Sequence, residues 1–427
     1  MTQSVLPFKL EITRDTITPH AGLTLVGEFS HALGLPEKLD ELLPAPGSGA
    51  GYTPREFVLP LLLMLHGGGR ALEDLRQLRE DHGLRELLGL EEMPSADATG
   101  DWLRRMGGGV GLAKSEAVSR YLLARGLGAE ERTEYTLDLD ASQIVAEKQT
   151  AAWTYKGERG YMPLLGHLAQ NGLVVGEEFR AGNESPGAGN LEFIKYCEKQ
   201  MPAGKRIKDV RADSAAYQAE VFNYCEESGK TFAIGADLDS AVRGTIAAIP
   251  QADWQTYQDG YLAETVHSME KTKRAFRLVV IRRPVQGKLF GEEDPRERYT
   301  AIASNREEGA AATVAWYNQR GEASENRLKE LKLGFGMERM PCGEQAANAM
   351  FFRIGVWAYN LFVLFKRLAL PAEWGRHQVQ TVRWRLYQTA GKVVDHARSY
   401  ALRVKRFMYR LFEEVRVRCW ELQASLP

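Results

Sequence analysis

The feature that most restricts this chain is a change of hydrophobic period near residue 135. Upstream, apolar residues recur at helical spacing. "TPREFVLPLLLMLHGGG" opens with Thr53 as N-cap, Pro54 in the first turn and Glu56 three residues after the cap, and it closes on Gly67, Gly68 and Gly69. "ALEDLRQLRE" and "SADATGDWLRRM" read as further helices ahead of the glycine run at 107–109. Downstream, "YTLDLD", "GYMPLLGHLA" and "LVVGEEFRAG" are short β-type runs broken by glycine and asparagine, the last two joined at Gln170-Asn171-Gly172 as in a hairpin. A helix at 190–201, the strand "IKDVRAD", the helix "YQAEVFNYCEESG" and the strand "TFAIGAD" follow. Strands in hairpin order succeeded by alternating helix and strand predict a mixed α/β fold.

Beyond residue 236 the pattern is interrupted by turn-rich, β-leaning sequence, notably "RAFRLVVIRR", before a further strand, "YTAIASN". A helix from about 310 to 332 and an apolar helix at 345–368 come next; the tail holds alternating runs, "TVRWRLY" and "SYALRVKR", and a final helix from about 406. A chain of 427 residues is too long for one compact core. The expected division is a helical region at 1–130, the first part of an α/β core at 131–236, a β-rich insertion at 237–297, the second part of the core at 298–370, and a basic C-terminal region at 371–427.

Composition narrows the class. Charged residues are 26% and hydrophobic ones 44%, which excludes a disordered or fibrous chain. The net charge of −1 conceals an asymmetry: residues 1–130 carry 13 Lys/Arg against 18 Asp/Glu, and residues 351–427 carry 14 against 5. A basic end of this kind can face an anionic partner. The four cysteines stand apart, with no C-x-x-C and no histidine at ligand spacing, so neither a structural zinc site nor a disulfide framework is expected and a reducing cytoplasm fits. The N-terminus lacks the basic flank and apolar core of a signal peptide. The apolar run Phe57–Leu65 is short and holds Pro60, and Met350–Leu364 is crossed by Arg353 and Asn360, so both read as buried helices and no membrane span is expected.

Three stretches can carry chemistry. In "TLDLDAS", Asp138 and Asp140 lie two apart on a strand and share a face, and a carboxylate amid apolar strand residues needs a pairing partner or a cation. In "VRADSAAY", Asp213 ends an apolar strand, where ligands of open α/β sheets sit, although Asp213 or Ser214 can equally cap the next helix. In "YNQRGEASENRLKELK", Glu325 and Lys332 fall on one helical face, as do Glu322 and Lys329 in an ordinary solvated helix.

Taken together, an acid in the first strand of a hairpin set, an acid after the fourth strand and a glutamate on a late helix form the layout of RNase H-like nucleotidyl transferases. The chain resembles the DDE-type transposases of bacterial insertion sequences, in the class marked by Y-x2-R-x3-E-x6-K. "DLDAS" resembles the family's first-Asp motif, D-x-[ST], and points to Asp140; "RADSAAY" resembles its second-Asp motif; and "YNQRGEASENRLKELKLGFG" resembles its third-acid helix. The likeness runs through nearly the whole chain, including a helical N-terminal domain and an insertion before the glutamate. One departure is the four residues between Arg320 and Glu325, where the signature has three. On a regular helix the two would be rotated apart by about 140°. Either the helix begins near Gly321 or a bulge restores the register.

The resemblance implies strand cleavage at transposon ends and attack of the freed 3′-hydroxyl on target DNA, with no covalent enzyme–DNA intermediate. It implies two Mg²⁺ ions about 4 Å apart, Mn²⁺ being a substitute, with Asp140 bridging and Asp213 and Glu325 each completing one shell. Tyr317, Arg320 and Lys332 would hold phosphates of the end. Other candidate DNA contacts are Arg104 and Arg105 in "DWLRRM", Arg180 and Asn183 in "FRAGN", and Trp254, where related transposases place an aromatic wedge. The implied partners are double-stranded DNA, both end and target, and a second copy in a homodimer, acting in the bacterial cytoplasm at the nucleoid. Rival readings are a nuclease of the same fold without strand transfer and an inactive DNA-binding derivative.

Overall fold

The computed structural model describes residues 6, 8–47, 51–128, 130–284, 297–396 and 399–425, with the side chains of residues 322–325 outside that set. At its centre is a nine-stranded mixed sheet. Its strands in chain order are β1 (Glu134–Ala141), β2 (Leu164–Leu168), β3 (Val174–Glu178), β4 (Arg206–Ala212), β5 (Thr231–Gly235), β6 (Gln255–Tyr257), β7 (Gly260–His267), β8 (Phe276–Pro284) and β9 (Glu297–Ser304). Across the sheet they run β6-β7-β8-β9-β5-β4-β1-β2-β3. β1, β2 and β3 are antiparallel neighbours, whereas β4 and β5 lie parallel to β1. The expected hairpin forms: Gly172 adopts φ +83° and Leu168 donates its N–H to Leu173 O at 2.8 Å.

The stretch at 237–297 adds its strands to the same sheet: β8 pairs with β9, and β9 pairs with β5. That pairing joins residues far apart in sequence, so local periodicity could not show it. Of the helices in the first 130 residues, Pro54–Gly67, Ala96–Gly108 and Gly111–Gly128 pack on the helix Gln345–Leu364, and all belong to one continuous apolar core with the sheet. Among them, Pro54–Gly67 follows the expected start and stop, with the Glu56 carboxylate accepting the Thr53 N–H at 2.6 Å and Gly68 left-handed at φ +104°.

Among the described residues, one helical stretch, Gln345–Ala369, is long and apolar enough to cross a membrane, and its apolar window is wholly buried inside the protein. The two polar residues that interrupt it are both satisfied. Arg353 pairs with buried Glu177 and donates to Ser115 Oγ at 2.8 Å, and the Asn360 amide bonds both the N–H and the C=O of Val174 at 2.9 Å. The run at 381–387 is helical rather than a strand: Val382, Leu386 and Tyr387 are buried while Trp384 is 80% exposed, a helical period that chance alternation had concealed. "SYALRVKR" does supply a strand, Ser399–Arg403, and the final helix is Arg406–Ala424.

Candidate active site

β1 and β4 are adjacent and parallel, with Asp138 in register with Arg211. Each strand therefore carries a second charged residue two positions further on, Asp140 and Asp213, at the end of the sheet where parallel strands present ligands. The inner pair is closed off. Arg211 donates through Nε at 2.7 Å and Nη2 at 2.9 Å to the two carboxylate oxygens of Asp138, with the side chains 2% and 0% exposed. Its remaining Nη1 donates to the Trp316 carbonyl at 2.5 Å. The Trp316 ring contacts two guanidinium groups, Arg211 at 4.9 Å and Arg306 at 4.1 Å.

This one guanidinium joins three elements, each within two residues of a candidate site residue: Asp140 on β1, Asp213 after β4, and Tyr317 on the helix Ala310–Lys329. The sequence reading missed Arg211 and Trp316. The signal was the shared two-residue step, since an arginine in an apolar strand needs a buried acid as much as the acid needs a cation.

The outer layer is more open. Arg320 lies 3.6 Å from Asp140 Oδ1, with the two side chains 13% and 15% exposed, and donates to the Leu139 carbonyl at 3.2 Å. Its Nε is buried and has no hydrogen-bond partner among the described residues. Asp213 Oδ1 accepts the Ala215 N–H at 3.0 Å, so the capping role open to it is filled by one oxygen. Tyr317 stands over both strand ends. Burial pushes its phenol above the usual value; Arg320 opposes the shift, and the Asp213 and Asp140 carboxylates add to it. The close fit depends on Gly235 at the end of β5, where a Cβ would lie 2.9 Å from the Tyr317 hydroxyl. Lys332 donates to the Gln143 carbonyl, three residues past Asp140, at 2.8 Å. Burial depresses the Lys332 ammonium, Glu338 opposes this, and Lys156 acts in the same direction as burial.

The structure thus brings Asp140, Asp213, Tyr317 and Arg320 together and sets Lys332 beside the segment that follows Asp140. Glu325 falls on the same helix, with its side chain outside the described residues. Regarding the unusual spacing, the helix starts at Ala310, well before Gly321, and stays α-helical through residue 329. The irregularity comes later, as a π-helical turn at Glu330–Gly334 that contains Lys332. Among the described residues no group of three or more His, Cys, Asp or Glu could hold a metal ion. Two of the three proposed acids lie within that set, and as hard oxygen donors they suit Mg²⁺ or Mn²⁺.

The remaining candidates lie elsewhere. Arg104 is exposed and pairs with Asp101 on its own helix, and Arg105 is exposed beside it. Arg180 is buried and donates to Glu178 at 2.7 and 3.0 Å; it lines a cavity of about 480 Å³ together with Glu116, Glu177, Glu184 and Glu192. Asn183 is exposed in the loop that follows. Trp254 is partly buried under Arg282, 4.3 Å from its ring, and packs against Tyr299.

The model of the family described as transposase DDE domain group 1 matches residues 5–412 of the chain. Comparison with curated proteins finds no match.

Proposed function

Because the chain belongs to the transposase DDE domain group 1 family, we propose that it performs cut-and-paste DNA transposition: strand cleavage at the ends of a mobile element, then joining of the freed 3′-hydroxyl to target DNA. The observation that carries this reading is the meeting of Asp140 and Asp213 at the ends of adjacent parallel strands, beneath Tyr317 and Arg320. The strand order, three antiparallel and then two parallel to the first, with a third acid on a later helix, supports an RNase H-like core.

Members of this family generally use divalent metal ions. Asp140, Asp213 and Glu325 would hold Mg²⁺, which when bound would supply activation of the attacking oxygen and stabilisation of the leaving one. The chain's other residues position the DNA. Arg320 keeps Leu139 and Asp140 in step with the helix, and its guanidinium, whose Nε has no partner among the described residues, would face a phosphate oxygen. Tyr317 contributes one hydroxyl and Lys332 a point charge. Such contacts place the strand without reading its sequence. Exposed Arg104, Arg105 and Asn183 are available to duplex DNA, whereas Arg180 and Trp254 are engaged within the protein. Two element ends and a target call for a homodimer, acting at the nucleoid.

The test is incubation of the full chain with Mg²⁺, a target plasmid and labelled DNA carrying the inverted repeats that flank its gene. Cleaved ends followed by joined product are expected, and Asp140→Asn and Asp213→Asn should abolish both while DNA binding persists. Cleavage with no joined product would leave a nuclease, and cleavage that survives Asp140→Asn would overturn the site.

A further inference from the structure

Between Asp140 and β2 the chain makes a small antiparallel sheet whose outer hairpin runs through "AWTYKGERGY". Trp153 pairs with Arg159, the Thr154 N–H bonds Glu158 O at 2.8 Å, and Gly157 turns the tip at φ +78°. Thr154 points inward and is 5% exposed, while its neighbours Trp153 and Tyr155 are each 67% exposed. Trp153 ends the strand and Tyr155 opens the turn, with the Lys156 ammonium 5.6 Å from the Tyr155 ring, so both exposed rings lie at the outer end of the hairpin. The loop that carries Asn183 packs on the hairpin's backbone: a Cβ on Gly182 would come within 2.4 Å of the Ala152 and Gly160 carbonyls. Two large aromatic rings two residues apart are thus exposed on a hairpin whose backbone is backed by a neighbouring loop.

The hairpin is also fastened to the acid site. Gln143 donates its side-chain amide to Thr154 Oγ1 at 2.9 Å and to Glu158 Oε2 at 3.0 Å, and its carbonyl accepts from Lys332 at 2.8 Å. Lys156, at the tip, is close enough to act on the Lys332 ammonium. Positive charge thus lies at both the base and the tip of the two rings. Bases within a duplex are stacked and hide their faces except at the terminal pair, so rings exposed in this way find open faces chiefly on unpaired bases. A positive track with aromatic faces is the general form of a single-strand binding surface.

We propose that the hairpin at 152–161 is a stacking platform for unpaired bases of the DNA strand that Lys332 holds, with Trp153 and Tyr155 as the two stacking faces. The proposal rests on the reading of the acids as a DNA-processing site and adds to it a preference for ends that carry a single-stranded tail. The preference is for DNA structure, not sequence, because every base offers a π-face.

The experiment measures binding of the full chain to a labelled duplex with a single-stranded oligothymidine tail and to the same duplex with a flush end. The wild-type protein is expected to favour the tailed DNA. Trp153→Ala combined with Tyr155→Ala is expected to weaken tailed binding about tenfold and leave flush binding unchanged. Trp153→Phe with Tyr155→Phe, which keeps two aromatic faces, should restore most of the loss. Both rings are exposed, so the melting temperature should hold, and a fall would mark the hairpin as structural and overturn the proposal. An unaltered preference in the double alanine variant would also overturn it, as would a loss of self-association, which would assign the rings to a second copy of the chain. If wild-type protein binds and cleaves DNA but the variant keeps its preference, only the platform fails. If the wild type binds neither DNA, the acid-site reading fails with it.

Discussion

Two layers of the same strand pair, two residues apart on one face of the pleat, use the same residue types to opposite ends. In the inner layer, Asp138 meets Arg211 through two bonds of 2.7 and 2.9 Å, and Trp316 supplies the remaining acceptor. In the outer layer, Asp140 meets Arg320 at 3.6 Å, with Tyr317 as the aromatic neighbour. Burial separates their roles. The inner arginine has all its donor sides committed within the protein and fixes how the helix lies across the strands. The outer one keeps a donor without a partner among the described residues at the site where the acids meet. One layer positions, and the other is left able to bind.

If that division holds, substitutions in the two layers should affect different measurements. The largest expected effect is on activity: Asp140→Asn, at the carboxylate proposed to hold metal, should lower Mg²⁺-dependent cleavage by about 10³-fold or more, with a smaller loss of stability than Asp138→Ala, since its 3.6 Å contact with Arg320 is longer and less buried than the Asp138–Arg211 pair. Asp138→Ala should do the reverse in kind. It leaves Arg211 buried without its counter-ion, and breaking one side of such a pair costs about 3–5 kcal/mol of stability, read by urea unfolding. Equal losses of stability in both variants would erase the distinction between the layers.

Arg211→Lys tests the link between them at smaller cost. A lysine keeps the charge but has no planar fork, so it cannot hold both Asp138 oxygens and the Trp316 carbonyl together. A loss of about 1–3 kcal/mol is expected. Because Trp316 adjoins Tyr317, the cleavage rate should also fall by more than the unfolded fraction explains. A rate that tracks stability alone would reduce Arg211 to a packing role.

Much of this framework could be read from residue order. The capped helix beginning at Thr53, the hairpin at Gln170-Asn171-Gly172 and the two acids at strand ends each depend on chemistry local to a few residues. What separates Asp138 from Asp140 was not local, because the deciding partner, Arg211, lies 73 residues away. The same holds for the stretch at 237–297, whose strands join the sheet through β9. At residues 381–387 the apolar positions fit periods of both two and three to four, and only packing against the core selected the helix. The extra residue before Glu325 was visible, but its resolution as a helix begun at Ala310 and a π-turn at Lys332 was not.

The effect that is smallest at neutral pH, and grows only in acid, lies at His167 in the inner layer. His167 on β2 is paired in register with Asp138 and is fully buried, and neither ring nitrogen has a hydrogen-bond partner among the described residues. Burial pushes its pKa from 6.5 to about 3, with the Arg327 charge acting in the same direction. The unfolded chain therefore takes up the proton first as the pH falls. The stability associated with a neutral His167 is intact above 6.5 and drains away as pH drops toward about 3, at up to about 1.4 kcal/mol per pH unit. His167→Phe removes the titrating group, so unfolding free energy measured across that window should decline less steeply by one histidine's share. His66, also buried and lowered to about 3, should keep its own share in the variant. An unchanged slope in His167→Phe would mean that the folded interior accepts a proton at His167 as easily as water does. The inner layer would then be as open as the outer one, and burial could not be what divides positioning from binding.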